Sequence, residues 1–224
     1  MFDKKLSNFE GSTLKMRAII ADDHPLFRQA LLLMLTQELN FEVEESFDYA
    51  STIKLMESNA DYDIVFLDLN MPDANGLAGL VQIKSLFPNT LITLVSAEQN
   101  PGIIQKAIQV GISGFIPKSL NLDKLKTAVA AIMSGETWLP EDFESAEQSE
   151  EEVQYLRKLE LLTPHQLRVL DMMANGLLNK QIAYELGISE STVKQHASAV
   201  LRKLGLINRT QAGVIYKQIM QTDD

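Results

Sequence analysis

Short apolar runs alternate with helix-like stretches along residues 17–135, and this alternation constrains the fold more than any other feature of the chain. The apolar runs predict strands at 17–21, 41–47, 64–67, 91–95 and 112–116. The stretches between and after them predict helices at 25–39, 49–59, 76–87, 101–109 and 121–134. Strands that alternate with helices favour a parallel sheet with right-handed crossovers and helices on both faces. We therefore predict an α/β doubly wound five-stranded parallel sheet.

Polar side chains that could take part in binding or catalysis follow four of these runs. Asp22 and Asp23 follow the first run, Asp68 the third, Ser96 the fourth and Lys118 the fifth. Because the carboxyl ends of parallel strands meet at one edge of a sheet, we expect these side chains to converge there. Clustered carboxylates repel unless a cation lies between them, and hard oxygen ligands suit Mg²⁺. A carboxylate beside Mg²⁺ can attack phosphorus, while a hydroxyl and an ammonium can contact the phosphoryl oxygens.

Two other readings of this edge find little support in the chain. A phosphatase with an aspartate nucleophile would typically have a second aspartate two positions later, where this chain has Asn70. A dinucleotide site would need a glycine-rich loop after the first strand, and residues 21–25 contain no glycine. Gly76 and Gly79 indicate a turn or close helix packing instead.

Composition excludes several other classes of protein. The chain has no cysteine, so it has neither disulfides nor thiol redox chemistry. No apolar run approaches the roughly 20 residues of a membrane span, so we expect no membrane partner and a cytoplasmic location. We predict that residues 1–16 are an N-terminal extension. Their sequence does not resemble a signal peptide, and Met16 is an alternative start.

Charge is unevenly distributed along the chain. Residues 17–135 hold 8 basic and 14 acidic side chains, and residues 163–224 hold 7 basic and 5 acidic ones. Between them, residues 136–162 hold 2 basic and 9 acidic side chains with few apolar residues. Such a run of repelling carboxylates is typical of a linker, which we place at 136–161. An acidic first domain at 17–135 is thus separated from a mildly basic second domain at 162–224.

The second domain has the pattern of four helices. Thr163 and Pro164 begin the first, and Gly187 permits a turn between two short helices, as in a helix-turn-helix. The third helix, to about Leu204, has one apolar stripe and an outward side that carries Lys194, Gln195, Ser198 and Arg202. Glutamine can pair with adenine, and lysine can reach guanine or phosphate. The same pattern taken alone also fits an ordinary solvated helix face.

Four segments carry a resemblance to a known family: Asp22-Asp23, residues 67–72, Ser96-Ala97 and residues 114–118. With them, residues 17–135 resemble the flavodoxin-like receiver domain of bacterial response regulators. The resemblance implies that Asp68 is the phosphoacceptor. It implies Mg²⁺ ligands at Asp22, Asp23, Asp68 and the Asn70 backbone carbonyl, phosphoryl contacts at Ser96 and Lys118, and an aromatic switch at Phe115. Many receivers have a proline after the lysine, whereas Ser119 stands here, so a cis bond is not expected at that place.

A second resemblance covers residues 162–217, through segments 162–163, 179–183, 188–194 and 201–204. These residues are similar to the LuxR-type helix-turn-helix of the NarL/FixJ response regulators. The resemblance implies a transcription factor rather than an enzyme, with a sensor histidine kinase, double-stranded DNA, a second copy of the chain and RNA polymerase as partners. The DNA contacts would be Thr192, Lys194, Gln195, Ser198 and Arg202, and the dimer stripe would be Ala212, Ile215, Tyr216 and Ile219. The chain departs from the family at Gln166, where an acid is common, and at Ser198, where a basic residue is common.

Two rival functions stay open from the sequence. Control by protein partners without phosphate is disfavoured by the intact set of acidic, hydroxyl and lysine residues at the sheet edge. A phosphotransfer sink or small phosphatase would use residues 163–224 only as an interaction module. Salt-dependent binding to mixed DNA separates that rival from a transcription factor.

Overall fold

The structure is a computed structural model that describes residues 15–58 and 61–220. Its five strands form one parallel sheet, as the alternation predicted, and their order is β2-β1-β3-β4-β5. The strands are β1 (Arg17–Ala21), β2 (Glu42–Ser46), β3 (Ile64–Leu67), β4 (Leu91–Ser96) and β5 (Gly114–Pro117). The predicted extension at residues 1–16 lies outside the described residues except for its last two positions.

Helices cover both faces of the sheet. They are α1 (Pro25–Leu33), α2 (Tyr49–Ser58), α3 (Leu77–Leu86), α4 (Pro101–Val110) and α5 (Leu122–Met133). Buried side chains of α1 and α5 pack on one face, and those of α2, α3 and α4 pack on the other. The first predicted helix ends in a π-helical turn, Met34–Glu38, in which Thr36 Oγ1 donates to the Leu32 carbonyl at 2.7 Å.

The C-terminal part is helical, and the four predicted helices are present. Its helices are α6 (Glu150–Leu159), α7 (Pro164–Ala174), α8 (Asn179–Leu186), α9 (Glu190–Leu204) and α10 (Arg209–Met220). Thr163 caps α7 in a reciprocal capping box with Gln166, so the glutamine that replaces the family's common acid still closes the helix start. Gly187 ends α8 in the left-handed conformation that the helix-turn-helix turn requires.

Helix α6 lies within the segment that the sequence suggested as a linker. Ser149 caps it by accepting from the Glu152 N–H at 3.2 Å. The acidic run falls in the first turn, where carboxylates interact favourably with the helix dipole, so repulsion does not prevent folding. Leu156 and Leu159 are buried on its apolar side. The charge run was visible in the sequence, but its position at a helix start was missed.

The two parts of the chain pack against each other along a surface that we call the seam. Helix α6 packs on α4, and α7 packs on α3. Lys106 of α4 forms an ion pair with Glu152 at 3.2 Å and donates to the Ile219 carbonyl of α10 at 3.2 Å. One hydrophobic cluster continues from the sheet through α3 and α4 into the C-terminal helices. The domain boundaries at 17–135, 136–161 and 162–224 stay predictions.

The interpretation of Gly76 and Gly79 as turn and packing positions is confirmed. Gly76 caps α3 with φ at 55°, and a Cβ on Gly79 would lie 2.0 Å from the Ala74 carbonyl oxygen. Tyr49 Oη donates to the Gly79 carbonyl at 3.0 Å, which ties α2 to α3. Along the described residues, no helix is both long and apolar enough to cross a membrane.

Candidate functional site

Strand register brings the predicted carboxylates together. Ala21 and Leu67 are partners across β1 and β3, so the next residues of each strand, Asp22 and Asp68, leave the sheet side by side. The Asp68 N–H donates to the Ala21 carbonyl at 2.9 Å. Asp22 is 2% exposed and Asp68 is 1% exposed. Two buried carboxylates at one edge require positive charge nearby, since an uncompensated charge is costly to bury.

Lys118 supplies part of that charge. Its Nζ lies 2.7 Å from Asp68 Oδ2 and 2.8 Å from Asp22 Oδ2. The Lys118 N–H donates to the Ser96 carbonyl at 2.8 Å, which fixes the lysine beside the end of β4. The structure therefore brings Lys118, Asp22 and Asp68 together, as the strand-end argument predicted.

The acidic pocket has a ligand set that could hold a metal ion. Ligand atoms of Asp22, Asp23, His24 and Asp68 all lie within 4.8 Å of one another. The three carboxylates are hard oxygen donors, and Asp23 and His24 are exposed to solvent, which suits an ion such as Mg²⁺ that keeps some of its water. The Asn70 N–H donates to Asp68 Oδ1 at 3.0 Å, so the Asn70 backbone also borders the pocket. The residues present thus fit a magnesium site.

Ser96 is the last residue of β4, and Phe115 lies in β5. Ser96 is 6% exposed, and its Oγ accepts from the Glu98 N–H at 3.1 Å. Phe115 is already buried, within the hydrophobic cluster that includes Ile104 and Ala107 of α4. Their phosphoryl-contact and switch roles stay predictions. No cis peptide bond occurs among the described residues, including the bond after Lys118.

Sequence reasoning missed two residues of the pocket. The His24 ring lies against the carboxylates, with Nδ1 2.8 Å from Asp23 Oδ1. Arg28 donates from its guanidinium to the Asp22 carbonyl at 2.8 Å and to Glu45 Oε2 at 2.9 Å, which fixes the acidic loop against β2. The only signal was position: both residues follow the acidic pair within about two helical turns, and neither belongs to the quoted motifs.

The side chains proposed for DNA contact lie along α9. Ser189 caps this helix by accepting from the Thr192 N–H at 3.1 Å, and the two hydroxyls are 2.8 Å apart. The Thr192 hydroxyl therefore already has a hydrogen-bond partner within the chain. The remaining side chains of the predicted set are exposed: Lys194, Gln195, Ser198 and Arg202. On the other side of the helix, the His196 ring stacks on His165 with centroids 6.2 Å apart, so that histidine is packed.

Arg209 is a supporting residue that the predicted contact set omitted. Its guanidinium donates to Asn179 Oδ1 at 2.9 Å and also to the Leu177 carbonyl. These bonds fix the start of α8 against the start of α10. Arg209 lies within the residues that resemble the LuxR-type helix-turn-helix, but nothing in the sequence distinguished a residue that positions α8 from one that contacts DNA.

The stripe predicted for dimerisation is covered within the chain. Ala212, Tyr216 and Ile219 are buried, and Ile215 is partly buried. Burial raises the pKa of the Tyr216 hydroxyl well above its ordinary value, with a further contribution from Asp171. A dimer formed through these side chains would need them uncovered, and their role stays a prediction.

Comparison with known proteins agrees with both halves of this description. Residues 18–130 match the response regulator receiver domain, and residues 160–216 match the luxR family of bacterial regulatory proteins. The chain belongs to the response regulators that join a receiver domain to a LuxR-type DNA-binding domain. It is a transcription-regulating protein and not an enzyme.

Two relatives and one solved structure show how far the similarity extends. The glycerol metabolism activator of Pseudomonas putida is 41% identical over 204 residues, which cover 88% of this chain and 92% of the relative. The transcriptional regulatory protein DegU of Brevibacillus brevis is 30% identical, over 89% of this chain and 92% of the relative. A structure of two RcsB dimers bound to two parallel DNAs is 28% identical, covers 92% of this chain and all of that chain, and has a TM-score of 0.55.

Proposed function

We propose that a sensor histidine kinase phosphorylates Asp68 in a Mg²⁺-dependent reaction, and that this controls dimerisation and sequence-specific DNA binding. The single observation that carries the proposal is the pair of buried carboxylates, Asp22 and Asp68, that share Lys118 at 2.8 and 2.7 Å. Such a pocket concentrates negative charge around one reactive oxygen while keeping a cation beside it. Because the proposed target is bacterial chromosomal DNA, we place the protein in the cytoplasm.

Asp68 would act as the nucleophile. One of its carboxylate oxygens would form the bond to phosphorus as the bond to the donor imidazole nitrogen breaks, and that nitrogen keeps the electron pair. Asp22, Asp23, Asp68 and the Asn70 backbone carbonyl would hold Mg²⁺. The bound ion would supply charge neutralisation for the phosphoryl oxygens. Lys118 would exchange its carboxylate contact for a phosphoryl oxygen, and Ser96 would donate to another.

The seam would carry the signal to the second domain. Phe115 packs in the same hydrophobic cluster as α4, and α4 bears Lys106, which holds α6 and α10. A change near Ser96 and Phe115 would move α4 and weaken these contacts. Release of α10 would uncover Tyr216 and Ile219 for a dimer, while the exposed side of α9 reads the major groove. RNA polymerase is a further proposed partner of the DNA-bound dimer.

Acetyl phosphate labelling followed by DNA binding tests the proposal. With Mg²⁺ and acetyl phosphate, the intact mass should rise by one phosphoryl group in the wild type and stay unchanged in Asp68→Asn. The labelled wild type should then select a defined sequence from random duplexes, with an affinity that falls as salt rises. Full labelling of Asp68→Asn would overturn the assignment of the phosphoacceptor. Labelling without any DNA binding would favour the phosphotransfer sink.

A further inference from the structure

His24 directs one ring nitrogen into the acidic pocket, although no part of the proposed function uses it. Its Nδ1 lies 2.8 Å from Asp23 Oδ1, 3.1 Å from Asp22 Oδ1 and 3.5 Å from Asp68 Oδ2. The same nitrogen lies 3.0 Å from Lys118 Nζ. One imidazole nitrogen is thus in contact with the three carboxylates and with Lys118.

These contacts make opposite demands on that nitrogen. An ammonium only donates hydrogen bonds, so the Lys118 contact requires a lone pair on Nδ1. Ionised carboxylates only accept, so the contacts with Asp22 and Asp23 require an N–H on the same atom. No single tautomer satisfies both. A divalent cation among the four ligand atoms, which lie within 4.8 Å of one another, would accept a lone pair from each of them.

The position of His24 is fixed by its neighbours in the loop. Its N–H donates to Asp22 Oδ1 at 2.7 Å, and Pro25 begins α1 immediately after it. Arg28 donates to the Asp22 carbonyl at 2.8 Å and anchors the same loop from the first turns of α1. These bonds fix the backbone of His24 at the rim of the pocket, and its side chain, which is 57% exposed, reaches the carboxylates from there.

We propose that His24 Nδ1 is a ligand of the divalent cation in the acidic pocket. This ligand shifts the metal preference of the pocket toward ions that bind nitrogen ligands well, such as Co²⁺. The inference rests on the proposed function only for the location of the metal. Imidazole nitrogen suits later first-row metals, whereas Mg²⁺ favours oxygen ligands and water. A pocket with three carboxylates and one imidazole should bind Co²⁺ more tightly, relative to Mg²⁺, than the same pocket without the imidazole.

The test compares both metals in a chain whose only imidazole is His24. The protein has 3 histidines, so His165→Gln with His196→Gln provides that background. Calorimetric titration should show that adding His24→Gln weakens Co²⁺ binding at least about tenfold, since removing even a residue that only supports a metal ligand typically costs that much affinity. Mg²⁺ binding should change little. The Co²⁺ complex of the background protein should also show paramagnetically shifted imidazole proton resonances that His24→Gln abolishes.

Three outcomes would overturn the inference: equal losses for both metals, no loss of Co²⁺ affinity, or no shifted imidazole resonance. Circular dichroism of His24→Gln, with His24→Ala as a second variant, guards against a folding defect. Acetyl phosphate labelling with Mg²⁺ on the same samples distinguishes a failure of the phosphorylation function from a failure of the His24 ligand role. Failure of the background protein to label would sink the proposed function, whereas normal labelling with a His24-independent Co²⁺ affinity would sink only the role of His24.

Discussion

The acidic pocket and the outer side of α9 present their charged groups in opposite ways. In the pocket, Asp22 and Asp68 are buried, and each carboxylate contacts Lys118 within 3 Å. On α9, Lys194, Gln195 and Arg202 are exposed, and the described hydrogen bonds and ion pairs do not include their side chains. The pocket is organised by the chain itself, whereas the DNA-reading side of α9 would acquire its contacts from the nucleic acid.

This difference predicts different sensitivities to substitution. A group that is fixed by several internal contacts loses function steeply when one contact is removed, because the remaining charges are left uncompensated. A group that is free in the isolated chain can be replaced with little effect on folding, and its loss appears only when the partner is present. The following changes test that contrast, beginning with the largest expected effect.

Asp23→Ala should weaken Mg²⁺ binding at least about tenfold, because it removes a direct oxygen ligand from the pocket. Phosphorylation of Asp68 by acetyl phosphate should slow in parallel at subsaturating Mg²⁺. Calorimetric titration of Mg²⁺ and the rate of the mass change measure the two effects. Asp61→Ala is the matched control, since Asp61 is exposed and precedes β3, at the opposite edge of the sheet. Equal Mg²⁺ affinity in wild type and Asp23→Ala would refute the ligand role.

Lys194→Ala should weaken operator binding by roughly 1–3 kcal/mol if the side chain contacts a base, and should reduce the salt dependence if it contacts phosphate. Gln195→Ala should relax base preference more than it lowers affinity, because glutamine can pair with adenine in the major groove. Selection from random duplexes at two salt concentrations distinguishes these effects.

The contrast between the two regions requires that these α9 variants fold and accept phosphate like the wild type. Lys54→Ala, an exposed lysine of α2, controls for the loss of one positive charge. Parental affinity and parental motif in both Lys194→Ala and Gln195→Ala would remove α9 from the reading role. The C-terminal domain would then have to be reassigned to protein contacts.

The pocket was predictable from the sequence because it depends on strand order and strand ends. Once the apolar runs 17–21 and 64–67 were assigned to one parallel sheet, their carboxylates had to meet at one edge, and the register of Ala21 with Leu67 shows that they do. The outer side of α9 was predictable for a similar reason, since helical periodicity alone places Lys194 on a different side from the buried Val193 and Val200 stripe.

The seam was not predictable, because its contacts join residues far apart in the chain. Lys106 and Ile219 are 113 positions apart, and nothing local to either residue indicates the other. Helix α6 was missed because the acidic run at its start dominated the composition of a short amphipathic segment. The position of His24 depends on how the loop after β1 turns back over the pocket, which periodicity does not describe.

Lys106→Ala should loosen the seam, because it removes the ion pair with Glu152 and the hydrogen bond to the Ile219 carbonyl. A partly exposed ion pair contributes on the order of 1 kcal/mol or less, so the shift toward an open arrangement should be several-fold at most. Small-angle scattering should show a larger radius of gyration, and sedimentation should show more dimer without phosphate.

Glu152→Gln is the matched partner of Lys106→Ala, and the double variant completes a thermodynamic cycle. If the two residues act through their mutual contact, the effect of the double variant should be smaller than the sum of the single effects. Identical scattering profiles for wild type and Lys106→Ala would show that this lysine does not hold the seam closed. Coupling between the pocket and α10 would then have to run through the hydrophobic cluster alone.

Asp171→Asn should give the smallest effect and the clearest contrast with Asp68. Asp171 of α7 borders a cavity of about 340 Å³ at the seam beside Lys217, and the salt bridges among the described residues do not include it. Burial raises its pKa above the ordinary value of 3.8, partly offset by Lys217.

An acid whose folded-state pKa is raised favours folding at low pH, and that contribution is lost as pH rises through the folded pKa. The asparagine variant should therefore be more stable than wild type at neutral pH, by under about 1 kcal/mol. Urea unfolding at several pH values should show this gap narrowing as pH falls toward 3.8, with the exposed Asp142→Asn as control. A gap that does not change with pH would show that ionised Asp171 carries no burial penalty at the seam.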